Sequence, residues 1–309
     1  MPSQPTRRAF LATAAAAAVA ANLRSARAQG DGLTGQGDGL TAAQVIDQLQ
    51  KRAGVPWREG DVDGIKAGTA ETLVTGVATT VMATADVLRR AAATGRNFIV
   101  TQEPTFYTGA EDGGGRAGDP VYAAKKALVD DHHLVVWRFS EHWNARKPSE
   151  PVTALANALG WSAYGVADAD AIYSIPETRL DALIEHVRTK LHARGGLRWL
   201  GPPDMRVQTV LLSPGTTDLA STVARMPRAD VILAGEPREW EAVPYVLDAR
   251  PRKGLLAVGR ILSLEPSAAA CAAWVRSVVP QVPAEAIVVG DPYWSAAAQS
   301  DPGVREGVS

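Results

Sequence analysis

Apolar residues recur along this chain in two alternating rhythms. Short runs such as "FIVT" (98–101), "LVVWRF" (134–139), "VQTVLL" (207–212), "DVILAG" (230–235), "LLAVG" (255–259) and "EAIVV" (285–289) are β-branched and nearly continuous. They read as buried strands, as does "TLVTGVA" (72–78). Between them lie stretches of helical period: 42–53, 80–94, 119–132, 151–159, 177–194, 217–226, 239–249 and 266–278. In 177–194 the residues Leu180, Leu183, Ile184, Val187 and Leu191 fall on one helical face. Thr41 with Gln44 forms a capping box, and Gly95 suits a left-handed helix end. Strands alternating with helices predict a layered α/β fold. The pattern runs twice, which predicts two similar domains with a cleft between them. We place the first at 41–160 and the second at 207–300, joined by a connecting segment, 161–206, that carries the amphipathic helix. Residues 301–309 read as a disordered tail.

The ends of the chain have a different character. "TRRAFL" (6–11) sets two arginines before an alanine-rich run, and "ARA" (26–28) resembles a cleavage site. This is the layout of a twin-arginine export signal over 1–28, followed by a Gly-rich spacer over 29–40. The expected destination is periplasmic or extracellular. The apolar run is too short to cross a bilayer of about 30 Å, so the chain is not expected to be an integral membrane protein. Formal charge is −1, and falls to −5 without the four arginines of the leader. An acidic mature chain argues against nucleic acid as partner. With Cys271 as its single cysteine the chain has no internal disulfide, so its stability must come from its core.

Candidate chemistry gathers where strands end. "TQEP" stops a buried strand on Gln102 and Glu103. "WRFSEHWNARK" (137–147) brings Glu141, His142 and Asn144 after another, with Trp137 and Trp143 as candidate walls of a small-molecule pocket. Histidine with carboxylates suits zinc, iron or manganese. "AGEPREWE" (234–241) offers Glu236 and Trp240 beside acids that equally suit a helix start. "GRILSLEP" (259–266) offers Arg260, Ser263 and Glu265, and Arg260 is a fixed cationic fork for phosphate or carboxylate, or for a neighbouring acid, Glu103 or Glu265. No phosphate loop, nucleophile elbow, HExxH or paired CxxC is present.

Taken in order, "VTGVATTVMATADVLRRAAATGRNFIVTQEPTFY", "LVVWRFSEHWNA", "IYSIPETRLDAL", "ADVILAGEPREWEAVPYVLDA" and "GRILSLEP…GDPYW" give the chain a family likeness. It resembles the NIF-three-like dinuclear-metal-centre hexameric proteins, also described as GTP cyclohydrolase I type 2 homologues, and within them an exported branch. The resemblance implies two similar α/β domains, a ring-like homo-hexamer, a two-metal site in the interdomain cleft and metal-dependent hydrolysis. The site departs from the family pattern. His-Glu-Pro is here Gln102-Glu103-Pro104, and His-Asp-His-Trp-His is Ser140-Glu141-His142-Trp143-Asn144. Gly-His-x-x-Ser-Glu is Gly259-Arg260-Ile261-Leu262-Ser263-Leu264, with Glu265 one place beyond the expected carboxylate. Amides, a hydroxyl and a guanidinium have replaced imidazoles, and these are poor ligands or none.

Two expectations follow. In the first, the protein is a metal-dependent hydrolase with an altered, metal-poor site: one divalent ion (zinc, manganese or iron) rests on Glu103, His142 and Glu141 or Glu265, with Glu103 and His142 catalytic. In the second, no ion is bound. Arg260 takes its place, and the cleft of a non-catalytic binding or scaffold protein holds an unknown small molecule against Arg260, Trp143, Trp240 and Glu236.

Overall fold

The first helix begins as the capping box predicts. Thr41 Oγ1 accepts from the Gln44 amide, and Gln44 Oε1 accepts from the Thr41 amide. This satisfies two donors that the helix end leaves open, an effect of about 1 kcal/mol. In the computed structural model, which describes residues 39–58, 60–109, 111, 118–249 and 252–295, this helix is α1 (Ala42–Lys51). The export signal, nearly all of the spacer, and the 301–309 tail lie outside the described residues.

Four short strands follow: β1 (Gly64–Ala67), β2 (Val77–Thr80), β3 (Phe98–Thr101) and β4 (Val135–Arg138). Between them run α2 (Ala85–Ala93) and α3 (Pro120–Asp131). Each helix is capped by its own sequence: Thr84 accepts from the Val87 amide, and Asp119 accepts from Val121 and Tyr122 with Pro120 in the first turn. The sheet order is β1-β4-β3-β2-β10, where β10 is Ala284–Ala286. All neighbours are parallel except β1 against β4. Val77, Phe98, Val100, Val135 and Trp137 face one side, against α1. Ala78, Ile99 and Val136 face the other, against Val87, Leu88 and Val129 of α2 and α3. Burial on both faces explains why these strands read as unbroken apolar runs.

After α4 (Glu141–Ala145) and α5 (Glu150–Leu159) the chain builds a second sheet. Its strands are β5 (Ile172–Arg179), β6 (Arg198–Leu200), β7 (Arg206–Thr217), β8 (Val231–Pro237) and β9 (Gly254–Ala257). They take the order β5-β7-β8-β9-β6, with β7, β8 and β9 parallel and both edges antiparallel. The helices are α6 (Leu180–Lys190), α7 (Leu219–Arg225) and α8 (Glu239–Asp248). Val210, Leu212, Val231 and Leu233 pack against α5 and α6, while Leu211, Ile232 and Ala234 pack against α8.

Three expectations are corrected here. Residues 161–206 are not a connector, since β5, α6 and β6 are parts of the second sheet. The helix read over 177–194 begins only at Leu180, because 177–179 complete β5. The last strand does not close the 207–300 half but adds to the first sheet beside β2. The final helix, α9 (Arg260–Val278), is six residues longer at its start than the period suggested, and it touches β2 and β10 as well as β7 and β8. It therefore ties the two sheets, and Leu40–Ser309 forms one compact unit. Among the described residues no helix is long and apolar enough to cross a membrane.

Candidate functional site

The tip of β3 is pinned before its side chains are aimed. The Gln102 and Glu103 amides donate to Thr80 O and Val81 O (3.3 and 2.9 Å), and Thr101 Oγ1 lies 3.0 Å from Glu103 O. Gln102 turns inward: its Nε2 donates to Ser267 Oγ on α9, which also receives Trp143 Nε1. The Gln102 Oε1 is buried with no partner among the described residues. Gln102 thus joins β3 to α9 and is not placed as a ligand.

Glu103, 8 % exposed, faces Arg260. Gly259 leaves β9 at φ 91°, a backbone setting that favours glycine, and α9 starts at the next residue. Arg260 is therefore held on the first turn, where its Nε donates to Glu103 Oε1 at 2.8 Å. Its Nη1 donates to Thr216 Oγ1 at the end of β7 and lies 3.4 Å from Glu236 Oε2 at the end of β8. The tips of β3, β7 and β8 thus meet on one guanidinium. Burial works against the Arg260 charge, but the hydrogen bond and charge of Glu103, joined by Glu236, outweigh it and hold the guanidinium above its ordinary value. A charged hydrogen bond in this setting contributes about 1.5–3 kcal/mol.

The close packing beneath this cluster requires glycine at 235. A Cβ there would sit 2.4 Å from Gly215 O and 2.5 Å from Ser263 Oγ. Ser263 Oγ, one turn along α9 from Arg260, accepts the Gly215 amide and donates to Arg260 O.

His142 lies elsewhere and is fully engaged. Its Nδ1 is 2.7 Å from Asp63 Oδ2, its Nε2 accepts the Arg58 amide at 2.9 Å, and its ring stacks on Trp57 at 3.8 Å. An acceptor Nε2 fixes the neutral Nδ1–H form and leaves no lone pair for an ion or a proton transfer. Asp63, unseen in the sequence, is the organiser of this corner. Its carboxylate accepts from the amides of Ser140, Glu141 and His142, so it caps α4 from a distant segment where Ser140 makes no cap of its own. Ser140 Oγ also points to Asp63 and receives Arg138 Nε. Glu141 is exposed.

Glu265 is corrected by the helix that carries it. Residues 260 and 265 are five steps apart, about 140° around α9. Glu265 therefore faces away from Arg260 and accepts the Val289 and Gly290 amides (2.6 and 2.9 Å). Leu264 is buried against Val81 and Ala268. Trp137 and Trp143, read as pocket walls, are instead buried in the core: Trp137 stacks on Phe139, and Trp143 packs among Phe139 and Trp274.

Two cavities flank Arg260. One, of about 340 Å³, is lined by Glu103, Asn144, Ser213, Thr216 and Arg225 among others. The other, about 780 Å³, has Glu236, Trp240, Asp291, Tyr293 and Trp294 in its walls. Trp240 and Tyr293 are largely exposed there, and Arg194 stacks on Trp294 at 4.0 Å. Asp291 folds this C-terminal segment down by accepting the Arg194, Gly195 and Tyr293 amides.

The metal that the family likeness implies does not fit these residues. Arg260 holds Glu103, Asp63 and Arg58 hold His142, backbone amides hold Glu265, and Glu141 is separate. Among the described residues no group of three or more His, Cys, Asp or Glu is disposed to hold an ion.

Solved structures share the fold. Staphylococcus aureus protein SA1388 superposes with a TM-score of 0.66 at 14 % identity, covering 83 % of this chain and 99 % of that one. A Bacillus cereus protein related to NIF3 gives 0.66 at 13 %, covering 82 % and 99 %. The structural-genomics protein ybgI, of unknown function, gives 0.62 at 15 %, covering 82 % and 99 %. No curated protein matches the chain in sequence. Residues 41–246 match the pattern of Duf34/NIF3 (NGG1p interacting factor 3), and with well over half its length matched the chain belongs to this family.

Proposed function

We propose that this family member is a metal-independent binding protein for a small polar organic molecule, seated beside Arg260 in the cleft between the two sheets. The observation that carries this reading is the Arg260 side chain, which bonds Glu103 and Thr216 and approaches Glu236. A guanidinium supplies positive charge to the acids without an ion, and it is not a ligand at neutral pH. Three of the four residues expected to contact ligand, Arg260, Trp240 and Glu236, line the larger cavity. The metal-dependent hydrolase reading needs a clamp of carboxylates and imidazoles, and the donors for it are spoken for by other partners.

Elemental analysis tests the proposal. The purified chain, incubated with zinc or manganese and then dialysed, is expected to retain less than about a tenth of an equivalent, because imidazole and carboxylate sets are what hold such ions. Arg260→His, which removes the guanidinium and restores an imidazole, is expected to raise that figure. Retention of a full equivalent by the unaltered protein sinks the reading.

Two family-level features belong to the same proposal. The paired arginines and the "ARA" site support export by the twin-arginine route to the periplasm or beyond, and loss of export in cells lacking that translocase tests it. A homo-hexamer rests on the resemblance alone, and light scattering of the purified chain tests it.

A further inference from the structure

The smaller cavity beside Arg260 contains two groups of opposite charge that the fold leaves incompletely paired. Arg225 ends α7 and is exposed, and its side chain has neither a hydrogen bond nor an ion pair with any described residue. Glu103 gives Oε1 to Arg260, while its Oε2 has no donor among the described residues. Both line the same space of about 340 Å³, and the remaining wall includes Val152, Leu212 and Leu264.

Each simple ligand class leaves one of these features unanswered. A plain oxyanion would suit Arg225 but would meet the acceptor-only oxygen of Glu103. A simple cation would suit Glu103 but would face two guanidinium groups. An apolar molecule would strip water from both charges without replacing it. A compact molecule with a cationic end, an anionic end and an aliphatic branch answers all three.

We propose that this cavity binds a free α-amino acid with a small aliphatic side chain. Its carboxylate pairs with the fork of Arg225, its ammonium donates to Glu103 Oε2, and its side chain rests on Val152 and Leu264. The volume lies at the low end of the range of about 300–1,000 Å³ usual for small-molecule sites, which suits a ligand of this size. The zwitterion has no net charge, so it leaves the balance among Glu103, Arg225, Arg260 and Glu236 undisturbed. The inference rests on the reading that Arg260, and not a metal, holds Glu103.

Calorimetric titration of the full chain with L-valine, N-acetyl-L-valine, L-valinamide and sodium acetate tests it, with metal content measured on the same preparation. L-Valine is expected to bind. Blocking its ammonium or its carboxylate is expected to weaken binding about tenfold or more, the scale of one lost charge-assisted contact. Arg225→Gln is expected to remove valine binding without changing the melting temperature, since the Arg225 side chain has no partner among the described residues. The inference fails if acetate or N-acetyl-L-valine binds as well as valine, which would mark an anion site only. It also fails if valinamide does so, if Arg225→Gln binds valine unchanged, or if valine at about 10 mM gives no heat of binding. Metal-free protein that ignores valine overturns this inference alone, whereas a stoichiometric ion overturns the proposed function first.

Discussion

At the scale of single residues, two buried ionisable groups outside the cleft carry measurable consequences. Asp63 accepts from three amides and His142 in a fully enclosed corner. Asp63→Ala leaves those donors unmet, and we expect it to cost about 3 kcal/mol by urea denaturation. Wild-type stability in that variant would show that water replaces the carboxylate. Lys125 is the second. Burial lowers its pKa from 10.5 to about 8, only partly offset by the charge of Glu111, and its ammonium donates to Thr105 O. Between those two values the unfolded chain binds more protons at this position than the folded one, so stability rises with pH across that window and levels off below about 8, where both states carry the proton. Cys271 works in the opposite sense above 9, because burial pushes its thiol up to about 12. The window from pH 8 to 9 is therefore the informative one. Wild-type stability is expected to gain about 1 kcal/mol across it, and Lys125→Met is expected to flatten that slope. An equal slope in both proteins would reassign the proton to another group.

At the scale of elements, the way a strand hands over to a helix decides what a side chain can reach. Gly235 lets the β7–β8 pair close to within a backbone's width of Ser263, and Gly235→Ala is expected to destabilise by about 2 kcal/mol. It should also loosen the Thr216 contact to Arg260, seen as faster exchange at the Gly215 amide. Unchanged stability would mean that β7 yields more easily than its hydrogen bonds suggest. The same handover explains what was legible in the sequence. Strands buried on both faces, such as Phe98–Thr101, declared themselves by apolar continuity, and the first helix by its Thr41 capping box; the Thr84 cap went unread, so the helix that begins at Ala85 was started at 80. Edge strands did not declare themselves: Gly64–Ala67 and Arg198–Leu200 are short and half-exposed, and Ile172–Arg179 contains Pro176. Starting the last helix at 266 left Glu265 outside it as a candidate neighbour of Arg260, whereas the helix begins at Arg260 and its rotation carries Glu265 away. Charge alone offered Arg260 two partners, Glu103 and Glu265, and the structure pairs it with Glu103. The Asp63 contact to His142 was not legible, because it joins a turn before an unrecognised edge strand to a helix start.

At the scale of the whole molecule, the C-terminal segment spans both halves. β10 completes the first sheet, and Asp291 then fastens Tyr293 and Trp294 against residues 194–196 beside the second. Truncation after Gly290 removes that fastening and one wall of the larger cavity. Amide exchange at Arg194 and Gly195 is expected to rise about tenfold or more, while the centre of β8 stays protected. Protected amides at 194 and 195 would show another acceptor standing in for Asp291. The return of β10 has a further bearing on how the protein is made. Val77 pairs with Ala284, so most of the chain must leave the ribosome before the first sheet can acquire its last strand. Such long-range closure is slow. During translation the early half waits with the β2 edge open, and a chaperone that shields that edge has its longest opportunity there.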